Sequence, residues 1–252
     1  MGILNITPDS FFTGSRISSE GELVDRAGQM LQEGARIVDI GGYSTRPGAR
    51  EVEAAEEGDR IASAVEPLAK FFPHLILSVD TFRAVVAERG IAAGAHIVND
   101  VAGGTLDDEM FDTVARLRVP YILMHMRGTP QTMNQLTSYE HLVPDILQDL
   151  KAKSDILRGK GVADLIIDPG FGFAKTIPQN FTLMHHLSEF GLLDCPVLAG
   201  ISRKTTIYKT LNITPDEALN GTTVMNTLAL ERGASILRVH DVAATRAFLQ
   251  LP

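Results

Sequence analysis

Polar side chains recur along this chain, each directly after a short run of apolar residues. They are carboxylates, amides, histidines, a serine and basic groups, at Asn5, Asp39, Asp80, Asn99, Asp100, His125, Asp168, Ser202, Lys204, Arg238 and His240. Some polar residues simply mark the point where a strand leaves the core. A carboxylate, amide and lysine set is costly to bury unless it is used, so this pattern indicates a functional site.

These side chains sort into two chemical sets. Asp80, Asn99 and Asp168 offer hydrogen-bond acceptors, together with one amide that can also donate. That set suits a flat heterocycle with several N–H donors, such as a guanine-like or pterin edge. Arg238 and His240 suit phosphate, which the planar guanidinium fork binds well. Asn5 supplies the kind of hard oxygen that Mg²⁺ accepts while it keeps most of its waters. The second set therefore predicts a diphosphate with its metal.

Two loops rich in Gly, Pro, Ser and Thr follow the first two apolar runs, at residues 5–11 and 41–48. They fit either ordinary turn chemistry or mobile segments over a site. A third such loop covers residues 168–173. Its Gly-x-Gly is a weak phosphate signal, and the sequence has no Walker A loop.

A repeated pattern predicts the elements that position these groups. In residues 34–39, 94–99 and 233–238, and more loosely in 161–168, a Gly precedes a β-branched run that ends in a polar residue. This pattern is typical of a helix C-cap leading into a buried parallel strand. Four further apolar runs, at 2–4, 75–79, 120–124 and 196–199, bring the predicted strands to eight.

Amphipathic stretches between these runs, such as 20–33, 52–72, 82–93 and 145–160, predict helices. Eight such units in 252 residues favour a single-domain (β/α)8 TIM barrel over residues 1–252. An open doubly wound sheet is the alternative. In a barrel, residues at the carboxyl ends of the strands face the active site.

Composition excludes several other classes of protein. The net charge of −8 argues against non-specific nucleic-acid binding. A single cysteine, Cys195, allows no disulfide framework and no cysteine-based zinc site. No apolar stretch is long enough to cross a membrane, and the first residues carry no signal pattern. We therefore expect a cytoplasmic protein that contacts neither nucleic acid nor membrane.

Seven segments of the chain together resemble the dihydropteroate synthase family of pterin-binding barrels. They run in the family's order over nearly the whole chain: GILNITPDSF (2–11), DIGG (39–42) with STRPG (44–48), SVDT (78–81), ND (99–100), DPGFGF (168–173), GISRK (200–204) and RVHDV (238–242). A single segment would be modest support, whereas seven in order make chance resemblance implausible.

The resemblance implies a transferase that joins (7,8-dihydropterin-6-yl)methyl diphosphate to 4-aminobenzoate in folate biosynthesis and releases diphosphate. By position, the implied pterin-binding residues are Asp80, Asn99, Asp168 and Lys204, with Met124 and Phe173 as apolar walls. Asn5 is implied as the Mg²⁺ ligand, and Arg238 and His240 as diphosphate-binding residues. Asp80, Lys204, Arg238 and His240 are the implied catalytic residues. The implied residues around aminobenzoate are Phe11, Thr45, Arg46, Pro47 and Ser202.

The chain departs from the family pattern at its start. Family members usually carry a hairpin before strand one that crosses the barrel floor, and here that hairpin is expected to be absent. A milder difference is the segment 12–15, where the family often has a more acidic turn. Pro47 and Gly48 are adjacent, so an unmodified aminobenzoate pocket and sensitivity to sulfonamides are expected. The family also implies a homodimer.

Two other functions remain alternatives at this point. A methyltetrahydrofolate-binding methyltransferase barrel would share the pterin-reading carboxylates and the amide but would not need the segments at 202–204 and 238–240. A catalytically inert barrel acting as a partner subunit should have lost some of these residues, and none of the expected ones is missing.

Overall fold

Eight parallel strands alternate with helices in a computed structural model that describes residues 1–6, 16–43 and 52–250. The strands are β1 Gly2–Asn5, β2 Ile37–Gly41, β3 Ile76–Asp80, β4 Ile97–Asp100, β5 Tyr121–Met124, β6 Leu165–Asp168, β7 Val197–Ala199 and β8 Ala234–Leu237. Each predicted apolar run contains or overlaps one of them. The eight predicted strands are therefore confirmed.

The described helices lie between consecutive strands, except the last, which follows β8. They are α1 Arg16–Gln32, α2 Ala54–Phe71, α3 Ala84–Ala92, α4 Met110–Leu117, α5 Leu142–Gly159, α6 Ile177–His185, α7 Thr205–Leu211, α8 Leu219–Glu231 and α9 Val242–Leu249, with short 3₁₀ turns at Met133–Gln135 and Leu187–Leu193. Within these described residues, no helix combines the length and the apolar character that a membrane span requires.

The strands pair in sequence order from β1 to β8, and every pair is parallel. The first and last strands also meet. Ile3 N donates to Val239 O at 2.9 Å, and Val239 N donates to Met1 O at 2.9 Å. The sheet therefore closes into the predicted (β/α)8 barrel, and the open doubly wound alternative is wrong.

An apolar layer fills the barrel interior below the site. Ile97, Ile122 and Leu198 are buried against one another, with Met1, Ile37, Ile166 and Ile236 packed on them. Residues from so many strands can share one cluster only inside the barrel. Because side chains alternate along a strand, the residues two positions further on face the same interior, one layer nearer the carboxyl ends of the strands.

Two helix residues, Ser154 and Asn226, are buried with polar side-chain atoms that have no hydrogen-bond partner among the described residues. Asn226 on α8 is fully buried, and neither Nδ2 nor Oδ1 has a partner among the described residues. A buried polar group without a partner bears its full desolvation cost, whereas an apolar group of similar size does not. Asn226→Leu is therefore expected to raise the free energy of unfolding by about 1 kcal/mol or more, measured by urea denaturation.

Asn220 on the same helix is exposed, and Asn220→Leu is the matched control. That surface change should stay within about 0.5 kcal/mol of the parent. A loss of stability in Asn226→Leu would mean that the buried amide is hydrogen-bonded after all, through internal water.

Candidate active site

The second interior layer of the barrel holds four of the predicted site residues: Asn99, Met124, Asp168 and Arg238. Two positions beyond the apolar layer stand Asp39, Asn99, Met124, Asp168, Gly200 and Arg238, one from each of six strands or the residues that follow them. The strand register also aligns Asn5, Gly41, Asp80 and Asn99 as successive partners across β1 to β4. A polar layer thus lies on an apolar one at the carboxyl ends of the strands.

A hydrogen-bonded network joins four of the strands through Arg238. Its Nε donates to Asp39 Oδ2 at 2.6 Å, and its Nη2 donates to Asp80 Oδ2 at 2.5 Å. Asn99 Nδ2 donates to Asp39 Oδ2 at 3.0 Å, and Ser78 Oγ donates to Asp39 Oδ1 at 2.6 Å. Asp39 and Ser78 are fully buried. The network brings the predicted residues Asp80, Asn99 and Arg238 together.

Three acceptor oxygens remain available beside this network. Asp80 Oδ1 and Asn99 Oδ1 receive no hydrogen bond from any described residue; the bonds of these two side chains run through Asp80 Oδ2 and Asn99 Nδ2. Asp168 is bonded through Oδ1, which accepts from Gly170 N at 2.8 Å, and its Oδ2 has no described donor. None of the three is among the enclosed, unpartnered polar atoms of the described residues, so they are accessible, and a set of accessible acceptors suits a ligand with several N–H groups.

Gly200 leaves space between these acceptors and Lys204. A Cβ at Gly200 would lie 3.7 Å from Asp168 Oδ2, 3.8 Å from Lys204 Nζ and 3.9 Å from Arg238 Cβ. Lys204 Nζ donates to Phe171 O at 2.5 Å and lies 4.6 Å from the centre of the Phe173 ring. Phe173 and Met124 belong to one apolar cluster. The two predicted apolar walls therefore belong to one cluster, and Phe173 lies beside Lys204.

Burial dominates the electrostatics of the site. It raises the pKa values of Asp80 and Asp168 above their ordinary value, against the attraction of Arg238 for Asp80 and of Lys204 for Asp168. Burial also lowers the pKa of Lys204 to about 8, although Asp168 opposes this shift. Burial lowers the pKa of Arg238, but the attraction of Asp39 and Asp80 raises it by more, so Arg238 stays a cation. The site holds two cations among three aspartates.

A buried lysine that sequence reasoning missed anchors the 168–173 loop. Lys175 Nζ lies 3.0 Å from Gly170 O, 3.0 Å from Phe173 O and 3.1 Å from His125 Nδ1. The three N–H groups of an ammonium match these three acceptors. Gly170 has φ +75°, and a Cβ there would lie 2.0 Å from His125 O. Lys175 therefore holds in place the loop that carries Phe173. Nothing in the position of Lys175 in the sequence signals that role.

His240 and Ser202 lie together at the end of β8. Ser202 is buried, and its Oγ lies 3.2 Å from both the backbone N and Nδ1 of His240. Arg203 forms a bidentate ion pair with Asp241 at 2.7 and 2.9 Å and donates to the carbonyls of Pro215 and Asp216. A cavity of about 370 Å³ opens beside His240 and is lined by Arg203, Pro215 and Asp216.

Asn5 is the exposed last residue of β1. A Cβ at Gly41 would lie 3.4 Å from Asn5 Oδ1 and 3.6 Å from Asp80 Oδ2, so the absent side chain leaves room beside two hard oxygens. Among the residues with described positions, no three His, Cys, Asp or Glu side chains form a metal cluster.

The predicted residues Phe11, Thr45, Arg46 and Pro47 lie outside the described residues.

The lowered pKa of Lys204 predicts a pH dependence. Lysine is cationic below its pKa, so the positive charge beside Asp168 is present at pH 7 and is lost as pH rises through about 8. We expect kcat/KM for the substrate that binds this site to fall as pH rises above about 8. Lys204→Arg keeps the positive charge, so the pH profile of kcat/KM for this variant should show no such fall.

Lys175 supplies the contrast in that measurement. Burial lowers the pKa of Lys175 to about 7. A fall in kcat/KM that begins near pH 7 and persists in Lys204→Arg therefore belongs to Lys175. A fall near pH 8 that survives Lys204→Arg would contradict the assignment to Lys204.

Comparison with known proteins agrees with this geometry. Residues 1–240 match the pterin binding enzyme family. The chain is 44% identical over 247 residues to the dihydropteroate synthase of Synechocystis sp., covering 97% of this chain and 85% of that protein.

Solved structures give the same result. The Yersinia pestis dihydropteroate synthase in a sulfonamide drug complex superposes with a TM-score of 0.90 at 39% identity, covering 99% of this chain and 92% of that one. The Xanthomonas albilineans dihydropteroate synthase with 4-aminobenzoic acid gives 0.89 at 39% identity, covering 100% and 93%. The chain therefore belongs to the pterin-binding enzyme family and, within it, to the dihydropteroate synthases, which are transferases.

Proposed function

We propose that the polar layer of this barrel binds (7,8-dihydropterin-6-yl)methyl diphosphate and couples it to 4-aminobenzoate, giving 7,8-dihydropteroate and diphosphate. The observation that supports these residue roles best is the set of three open acceptors, Asp80 Oδ1, Asn99 Oδ1 and Asp168 Oδ2, beside the guanidinium of Arg238. A pterin ring presents N–H groups to such acceptors, and its diphosphate carries the charge that a guanidinium binds.

Pterin recognition is assigned to the side of the site that contains Asn99, Asp168 and Lys204. Asp168 and Asn99 are buried and accept N–H groups of the ring, while Lys204 donates to a ring acceptor. Met124 and Phe173 cover the ring faces through their shared apolar cluster. The cost of leaving such buried groups unpaired would make the site reject rings that lack the matching donors.

Catalysis is assigned mainly to departure of the leaving group, because the amine of 4-aminobenzoate is a weak nucleophile. The bond between the pterin methylene carbon and the diphosphate oxygen breaks first, in an SN1-like step, and the electron pair leaves with diphosphate. Arg238 and His240 stabilise that negative charge. Asp80, beside Arg238, stabilises the positive charge on the dihydropterin methylene. The amine nitrogen then adds to the carbon and loses a proton.

The proposal includes Mg²⁺ held by Asn5. Asp80 Oδ2 already accepts from Arg238, whereas Asn5 Oδ1 borders the space beside Gly41, and one amide oxygen suits a cation that otherwise binds water and substrate phosphate. When bound there, Mg²⁺ would supply charge neutralisation for diphosphate. The proposed residues around 4-aminobenzoate are those that the resemblance implies: Phe11, Thr45, Arg46, Pro47 and Ser202. The hydroxyl of Ser202 also contacts the backbone N and Nδ1 of His240.

The test is release of diphosphate in a mixture of the pterin diphosphate, 4-aminobenzoate and Mg²⁺. Release that requires both organic substrates supports the proposal. Methyl transfer from methyltetrahydrofolate without any use of diphosphate would support the alternative barrel enzyme, and binding without turnover would support an inert barrel.

Sulfonamide inhibition follows from the same proposal, because sulfonamides mimic 4-aminobenzoate and the Yersinia pestis relative is known in complex with one. We expect a sulfonamide to raise the apparent KM for 4-aminobenzoate in proportion to its concentration while kcat is unchanged. Initial rates at several fixed sulfonamide concentrations measure this. Full turnover at high sulfonamide and low 4-aminobenzoate would refute it.

A homodimer is the proposed assembly. Neighbouring helices α6, α7 and α8 carry exposed apolar side chains: Phe181, Leu211, Leu219 and Val224. Such a surface on three adjacent helices suits contact with a second copy. Sedimentation equilibrium tests this part of the proposal. The expected cytoplasmic location and the single-domain limits of 1–252 stay predictions.

A further inference from the structure

We propose that Asp39 is a positioning residue that sets the orientation of two functional groups at once, the amide of Asn99 and the guanidinium of Arg238. This inference rests on the proposed function and extends it to a residue with no assigned role. Asp39 is fully buried, and its two oxygens accept three hydrogen bonds from three side chains on three different strands or strand ends.

The bond to Asn99 determines which end of the amide faces the ligand. A carboxylate accepts hydrogen bonds and does not donate them, so Asn99 must turn its NH₂ group toward Asp39 Oδ2, at 3.0 Å. Asn99 Oδ1 is then directed away from Asp39 and receives no hydrogen bond from any described residue. Asp39 thereby makes Asn99 an acceptor toward the ring. Without it, the amide could flip and oppose a ring N–H with its own N–H.

The bond to Arg238 determines which edge of the guanidinium is left for diphosphate. Nε is held by Asp39 at 2.6 Å, and Nη2 is held by Asp80 at 2.5 Å. These two contacts fix the plane of the group and leave the remaining N–H donors of its fork for an anion. Asp80 alone would hold only one corner, and the group could rotate about that contact.

Ser78 holds the carboxylate of Asp39 itself. Its Oγ donates to Oδ1 at 2.6 Å, which leaves Oδ2 to be shared by Asn99 and Arg238. Asp39 therefore connects the pterin side of the site to the diphosphate side through one oxygen atom. A substitution at Asp39 should weaken binding on both sides, whereas a substitution at Asn99 should act mainly on one.

The experiment measures two affinities by isothermal titration calorimetry. One ligand is 6-hydroxymethyl-7,8-dihydropterin, which has no diphosphate, and the other is inorganic diphosphate with Mg²⁺. Asp39→Asn is expected to weaken each by about tenfold or more, the size of a lost charge-assisted hydrogen bond. Asn99→Ala should weaken only the pterin. Asp164→Asn, an exposed residue at the opposite end of the barrel, is the control.

Double variants separate positioning from general damage. If Asp39 acts through Asn99, adding Asp39→Asn to Asn99→Ala should cost little further pterin affinity. Likewise, adding it to Arg238→Gln should cost little further diphosphate affinity. Losses that add in full in both backgrounds would overturn the proposal, as would unchanged affinities in Asp39→Asn.

A second variant covers the case in which Asp39→Asn does not fold. Ser78→Ala removes only the contact to Oδ1, and we expect both affinities to fall by a few-fold together. A change in thermal stability with neither affinity altered would assign the network a purely structural role and overturn the inference. If the parent chain itself binds neither ligand, the proposed function fails instead, so the two failures are distinguishable.

Discussion

Replacing Asp80 with alanine is expected to lower kcat by about 10²–10³-fold while the chain remains folded. The side chain of Asp80 is not fully buried, and Arg238 keeps its second carboxylate, Asp39, when Asp80 is removed. The loss should therefore appear in the chemical step. Steady-state rates of diphosphate release, together with circular dichroism, measure both parts of the prediction.

Asp80→Asn distinguishes charge from shape in this prediction. The amide keeps the size of the side chain and can accept from Arg238, but it cannot stabilise a cationic methylene as a carboxylate does. We expect most of the loss to persist in this variant. Asp112→Ala, which removes an exposed carboxylate paired with Lys160, should leave kcat unchanged. Normal turnover in Asp80→Ala would exclude Asp80 from the chemistry.

The barrel could be predicted from the sequence because its signals are local. Each strand is a short apolar run, and the strands at 37–41, 97–100 and 234–237 share one pattern, in which a glycine precedes the run and a polar residue ends it. Closure could not be derived in the same way. It depends on backbone bonds between Met1, Ile3 and Val239, which are far apart in the chain and carry no sequence signal for pairing.

The candidate site could be predicted as a set of strand-end residues, but the bonds within it could not. Asp39 and Asp80 look alike in sequence, since each ends an apolar run. The structure buries Asp39 under three donors, whereas Asp80 keeps an oxygen without a described donor. Lys175 was missed for a different reason. Its three partners are two loop carbonyls and a histidine fifty positions away in the chain. No residue pattern predicts that these three acceptors surround one lysine.

Asp168→Asn is expected to act on binding of the pterin substrate more than on the chemical step. Asp168 Oδ1 is held by Gly170 N, so Oδ2 is the atom left for the ring. An amide there presents an N–H to the ring's own N–H or loses the contact with Gly170. We expect the KM for the pterin diphosphate to rise by about 10–100-fold, with a smaller change in kcat.

Asp164→Asn is the matched control for this variant, because Asp164 is an exposed aspartate just before the same strand, at the floor end of the barrel. Its KM and kcat should equal those of the parent. A KM that stays constant in Asp168→Asn while kcat falls would mean that Asp168 acts in the reaction itself. Because burial raises the pKa of Asp168, the KM of the parent should also rise as acid protonates this carboxyl, and that rise should be absent from Asp168→Asn.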